Sequence, residues 1–261
     1  MAVVRKRSTL SIWKDVIFAI FLREIRSKFN DRIGISWAVI SPVVFIMVLS
    51  FIRGRMGGEE VHTVPVFIFM MYGMVIIQLF LTCFGSCAGA IKKNKPLYAF
   101  RQVQPLSSVI AIALFEYLVK VFVVIILFLI VYLMGIELHI DNLLMVIICM
   151  SMVWFFSIGL GLIFAIAQGI IEELSKVREL ATRPMFFISG VFFSLQDIPK
   201  EYWKYLDWNP ILHAIELTRF GAYESYGTNG VSFSYLSVSV LIVLAAGLFI
   251  YQAYWKQVIS R

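Results

Sequence analysis

The chain has 261 residues, 61% hydrophobic and only 15% charged, with a formal net charge of +7 and a mean hydropathy of +0.88. A soluble domain of this length carries roughly a quarter charged residues, so that class is excluded. Apolar runs near the ~20 residues needed to cross ~30 Å of hydrocarbon recur along the chain, and the expectation is an all-α integral membrane protein.

Arg5, Lys6 and Arg7 precede an apolar stretch, as in a signal peptide. Lys14 and Asp15 interrupt that stretch, and it runs into Arg23, Glu24 and Arg26 with no small-residue cleavage site, so the segment is expected to be retained. Residues 10–29 place Leu10, Trp13, Ile17, Phe21 and Ile25 among charged neighbours, the spacing of an amphipathic helix lying in the membrane interface. Residues 1–32 read as a cytoplasmic tail plus this helix, and 33–261 as one transmembrane domain.

Six spans are expected. The first is 33–52 and the second 64–91, followed by a polar island, KKNKPLYAFRQVQP, at 92–105. The third is 106–134 and the fourth 143–171. A charged piece, EELSKVRELATR, covers 172–183. The apolar run after it is too short to span alone, so a fifth span at 176–196 must begin inside the charged piece. The sixth is 233–254. Between spans five and six, Pro199 and Pro210 divide an aromatic-rich segment into two short helices, since proline disfavours a continuing helix before it. They are expected to form a re-entrant pair at about 199–222.

Loop charge sets the orientation. One side holds eight basic residues in 5–32, four in 92–101, three in 176–183, and Lys256 and Arg261. The other holds Arg53, Arg55, Lys200, Lys204 and Arg219. Positive-inside bias then places both termini in the cytoplasm and the 199–222 segment outside.

The chain lacks the chemistry of several enzyme classes. No G-x-x-x-x-G-K-[ST] phosphate loop occurs, and Gly-Lys is absent altogether, so ATP is not bound in the usual way. H-E-x-x-H and G-x-S-x-G are absent too. His62, His139 and His213 are scattered, and Cys83, Cys87 and Cys149 lie in apolar runs as small buried side chains; no metal site is expected. No internal repeat of the secondary-transporter kind is visible.

Three stretches carry a family resemblance. LREIRSKFNDRIGISWAVISP (22–42) resembles the N-terminal pattern of type-2 ATP-binding-cassette exporters, in which R-E-x-[KR] leads through a glycine into W-A…P. The matching residues are Arg23, Glu24, Arg26, Gly34, Trp37 and Pro42. IPKEYWKYLDWNPILHAIELTRF (198–220) resembles the C-terminal pattern of that class through Pro210, Ile211, His213 and Arg219. GAIKKNKPLYAFRQVQPL (89–106) is similar to the loop after span two in capsular polysaccharide permeases, although this chain reads RQVQP where those commonly read R-P-V-K-P.

The resemblance implies the inner-membrane permease of a bacterial capsule exporter. Such a permease works as a homodimer with two copies of a separate cytoplasmic ATPase, which binds ATP and Mg; this chain itself would hold no cofactor. The substrate implied is a lipid-linked acidic polysaccharide, passed to a periplasmic adaptor and an outer-membrane channel, with no role for nucleic acid. An O-antigen or teichoic-acid-type exporter is the alternative.

On this reading the energy arrives through cytoplasmic contacts. Arg23, Glu24 and Arg26, with Lys92, Lys93, Asn94 and Glu172, are the candidate ATPase-docking residues. Lys28 and Arg32 are candidates for the lipid head group, and Trp37, Tyr202, Trp203, Tyr205, Trp208 and Arg219 for the polymer, because rings stack on sugar faces and cations attract carboxylates. Glu116 and Lys120, spaced i, i+4 in span three, are expected to neutralise each other as a structural ion pair. Pro210, His213 and Arg219 are expected to lock the outer helices to the spans.

Overall fold

The computed structural model describes residues 8–29, 32–57, 60–100 and 102–260. Eight α-helices in these segments make nearly the whole fold: α1 (Thr9–Phe29), α2 (Arg32–Gly57), α3 (Val66–Lys93), α4 (Pro105–Leu133), α5 (Leu143–Ile170), α6 (Leu174–Ile188), α7 (Pro210–Ala222) and α8 (Phe233–Ser260). Two dipeptide strands, β1 (Glu60–Val61) and β2 (Val64–Pro65), pair antiparallel between α2 and α3. Short 3-10 helices lie at Lys95–Ala99, Leu195–Asp197, Lys200–Tyr205 and Glu224–Tyr226.

Four of the described helices, α3, α4, α5 and α8, are long and apolar enough to cross a membrane. Their ends follow local chemistry. Pro105 opens α4 at a position where its missing N–H is no loss. Asn142 caps α5 by accepting from the Met145 N–H. Gly135, with φ of +68°, closes α4.

Helix α3 sits at the centre, packed on α2, α4, α5 and α7. In its most apolar window 78% of the residues are buried inside the protein, against 33% for α4 and α5 and 17% for α8. The other three therefore present most of their apolar surface outward, as spans in lipid do. Small residues let α5 and α8 approach: a Cβ on Gly247 would stand 2.5 Å from the Gly159 carbonyl oxygen. Helix α2, with Pro42 inside it, packs on α3 and leaves Val44, Phe45, Val48 and Phe51 exposed on its other flank. Helix α1 packs across α4, with Phe21 edge-on to Phe115.

The fifth segment differs from the expectation. Helix α6 has 15 residues and ends at Ile188, well short of 196; at helical rise that is about 22 Å, less than a bilayer core. Side chains from the 199–222 segment meet the chain as it leaves the helix. Asn209 Nδ2 donates to the Ile188 carbonyl at 3.5 Å and to Ser189 Oγ at 3.0 Å, and Gly190 then turns the chain with φ of +74°. Beyond it, Pro199 precedes the Lys200–Tyr205 turn and Pro210 opens α7, with Asn209 Oδ1 accepting from the Ile211 N–H. Two short helices thus occupy this segment.

Candidate functional site

The basic end of the bundle gathers most of the residues singled out there. Arg23 and Glu24 of α1 lie beside the end of α3. Glu24 is only 3% exposed. Its carboxylate accepts from Lys93 Nζ at 2.6 Å and from Arg23 Nη2 at 3.3 Å. Arg23 also donates to Asn94 Oδ1, while Asn94 Nδ2 donates back to the Ala90 carbonyl at 2.8 Å. Arg23, Glu24, Lys93 and Asn94 therefore form one junction between two helices. This corrects the reading of Glu24 as a residue that docks the ATPase directly: it is buried between α1 and the end of α3 and ties the helices together.

Lys92 and Glu172 form a second pair, linking α3 to the turn between α5 and α6, with both side chains 73% exposed. The Lys92 ammonium holds the Glu172 carboxyl below its ordinary range. Arg26 is exposed in the last turn of α1. Beside the junction, Ile12, Val16, Ala19, Leu97, Phe100 and Val103 line a groove of about 660 Å³ whose rim carries Asp15 and Arg23.

Deeper along the same side, Glu116 and Lys120 do not pair as expected. Glu116 Oε1 accepts from Lys28 Nζ at 3.2 Å and from Ser86 Oγ at 2.9 Å, whereas Lys120 Nζ donates to Gln78 Oε1 at 3.2 Å. Lys28 reaches inward, its ammonium also 4.6 Å from the centre of the Phe115 ring. The i, i+4 spacing made Glu116 and Lys120 candidates, but partners from α1 and α3 took their polar atoms. Arg32 and Trp37 belong to α2, and their side chains lie outside the described residues.

At the other end, the aromatics divide. Tyr202, Tyr205 and Trp208 are exposed. Trp203 is half-buried. Its Nε1 donates to the Ile198 carbonyl at 2.8 Å, and its ring lies where a Cβ on Gly230 would come within 2.6 Å.

Arg219 is corrected from the polymer set. It is 0% exposed. Its guanidinium donates to the carbonyls of Gly190 (2.8 Å), Val191 (3.0 Å) and Phe69 (3.2 Å) and to the Glu216 carboxylate (2.9 Å), and stacks 3.4 Å from the Phe69 ring centre. His213 Nε2 lies 2.6 Å from the Asp207 carbonyl, and Nδ1 accepts from the Ser232 N–H at 3.0 Å, which sets a neutral imidazole with the proton on Nε2. Burial lowers its pKa, against the opposing pull of Asp207. These side chains hold α7 against α3 and the chain after α6.

Sequence reasoning missed Glu216, Ser194 and Tyr226. The Tyr226 hydroxyl lies 2.9 Å from Glu216 Oε2 and 2.7 Å from Ser194 Oγ, completing the buried network around Arg219. The i, i+3 spacing of Glu216 and Arg219 was the available signal. It also missed the β1–β2 tip, where His62 Nε2 lies 2.7 Å from Asp197 Oδ1.

Residues 15–223, from α1 through α7, match the profile of the family described as ABC-2 type transporter. The polysialic acid transport protein KpsM of Escherichia coli is 36% identical over 247 residues, covering 94% of this chain and 96% of the relative. The capsule polysaccharide export inner-membrane protein CtrC of Neisseria meningitidis serogroup A is 25% identical over 96% of this chain and 95% of its own length. The capsule polysaccharide export inner-membrane protein BexB of Haemophilus influenzae is 27% identical over 97% and 96%.

Proposed function

The chain belongs to the ABC-2 type transporter family, and we propose that it is the permease subunit of an ATP-driven exporter moving lipid-linked acidic capsular polysaccharide across the bacterial inner membrane. It is a multi-pass membrane protein and a transport component, with ATP hydrolysis carried by a separate subunit. Its similarity to the polysialic acid transport protein KpsM and the capsule polysaccharide export proteins CtrC and BexB supports the substrate class.

The observation that carries the mechanism is the Glu24–Lys93 junction. It couples α1 to the end of α3, the most buried helix, so a push on α1 reaches the centre of the bundle. The ATPase sits on the exposed charges around it, Arg26, Lys92 and Glu172, and on the groove between α1 and the Lys95–Ala99 turn. Arg23, Glu24 and Asn94 transmit the movement.

The finer architecture follows from this reading. Two copies of the permease, each with an interface helix, six spans and a re-entrant pair, enclose the path, with both termini cytoplasmic and two ATPase copies beneath. Spans one and five are α2 and the α6 segment. Tyr202, Tyr205 and Trp208 stack on sugar faces as the polymer leaves for a periplasmic adaptor and outer-membrane channel. A strain lacking this chain should retain acidic polysaccharide in its cytoplasm and lose it from the surface. Undiminished surface polysaccharide would overturn the reading.

A further inference from the structure

A groove of about 590 Å³ runs between the end of α1 and helices α2, α3 and α4, lined by Lys28, Lys120, Glu116, Ser86, Gln78 and Thr82 together with apolar side chains that include Phe45 and Leu81. Ser86 and Lys120 lie about 10 and 22 Å along their helices from the charged end. Gln78, Thr82 and Ser86 recur every four residues on one face of α3, which makes a polar wall inside an otherwise apolar span.

Charge in this wall is unbalanced. An ammonium within a span is costly and is ordinarily matched by a carboxylate. Lys120 is 5% exposed, yet among the described residues no carboxylate lies within ion-pair distance of it. Its partner is the neutral amide oxygen of Gln78 at 3.2 Å. Glu116, one turn away, is engaged by Lys28 and Ser86. Next to the groove, Arg178 of α6 donates to the Gly85 carbonyl at 3.1 Å and is itself balanced by Glu179 at 3.4 Å. Two ammoniums and one carboxylate therefore line a space that has apolar walls alongside. Such a space suits a head group that brings a negative charge and an attached hydrocarbon chain.

We propose that this groove binds the anionic, phosphate- or carboxylate-bearing head group of a lipid from the cytoplasmic leaflet, with Lys120 as the charge that fixes it and Lys28 at the mouth. On the exporter reading, on which only the lipid's identity rests, that lipid is the anchored end of the polymer. Gly85 offers a clean obstruction, because a Cβ there meets nothing within 4 Å.

The test is native mass spectrometry of the full-length permease titrated with lysophosphatidylglycerol, lysophosphatidylcholine or inorganic phosphate. The wild type should bind one lysophosphatidylglycerol per protomer in preference to lysophosphatidylcholine, and inorganic phosphate should not displace it. Lys120→Gln should weaken binding at least about tenfold, the loss of one charge-assisted hydrogen bond, and Lys120→Arg should stay within about threefold. Gly85→Leu, which keeps every charge, should block the groove with unfolding unchanged, so the proposal stays testable if Lys120→Gln folds poorly. Equal binding of both lysolipids, displacement by phosphate alone, or full binding by Gly85→Leu would overturn it. A permease that copurifies with an ATPase but shows any of these loses the lipid site alone. One that binds lysophosphatidylglycerol through Lys120 but has no ATPase partner loses the exporter reading alone.

Discussion

Lys93 Nζ lies 2.6 Å from Glu24 Oε2, joining the last residue of α3 to a buried carboxylate of α1. A pair of this kind links two elements mechanically, because removing Lys93 leaves the buried carboxylate with only Arg23, a neighbour on its own helix. Glu24→Lys, which buries an ammonium against Lys93 and Arg23, is expected to cost about 3–5 kcal/mol and to abolish export. Thermal unfolding and surface polysaccharide check both.

Arg26 stands apart, exposed on the same helix. Arg26→Glu should change stability by no more than about 0.5 kcal/mol, as surface substitutions usually do, yet weaken ATPase association. Copurification yield at equal permease expression measures this. An unchanged yield would remove Arg26 from the docking surface.

The Lys92–Glu172 pair should behave as a solvated contact. Glu172 is lowered in the folded protein by Lys92, so its contribution is present at neutral pH and is lost as pH falls through that lowered value. High salt should weaken it as well. Reversing both charges, Lys92→Glu with Glu172→Lys, should restore the ATPase association that either single reversal reduces.

Arg219 and Gly73 form a lock with little tolerance: a Cβ on Gly73 would stand 2.7 Å from Arg219 Nη2. Arg219→Ala leaves Glu216 buried without its cation and should destabilise by about 3–5 kcal/mol. Arg219→Lys should rescue little of this, since an ammonium does not reproduce the fork that meets several carbonyls. Gly73→Ala should cost about 1–3 kcal/mol by overpacking. Denaturation monitored by thermal aggregation ranks the three.

Tyr202, Tyr205 and Trp208 are exposed, so alanine at all three should lower export while shifting stability by no more than about 0.5 kcal/mol each. Trp203→Ala should instead lower stability, because its ring fills the space beside Gly230.

The four long apolar helices were legible because hydropathy and helix length are properties of contiguous sequence. Pro210 likewise marked a helix start through its own backbone chemistry. The charged residues were legible as candidates but not as partners. Glu116 had Lys120 one turn away, yet it took Lys28 from α1, 88 residues distant. Arg219 looked like an exposed cation in a polar segment, and only the fold brings the carbonyls of Phe69, Gly190 and Val191 around it. The early end of α6 was hidden for the same reason, since Asn209 meets it from across a loop.

The central claim is that a separate ATPase drives this permease from the α1–α3 end. Affinity purification of the permease from native membranes tests it directly, with nucleotide hydrolysis by the eluate measured with and without acidic capsular polysaccharide. The account predicts a nucleotide-binding subunit in the eluate, its hydrolysis responsive to polysaccharide and its recovery reduced by Arg26→Glu. An eluate that retains folded permease but contains no nucleotide-binding subunit would contradict it.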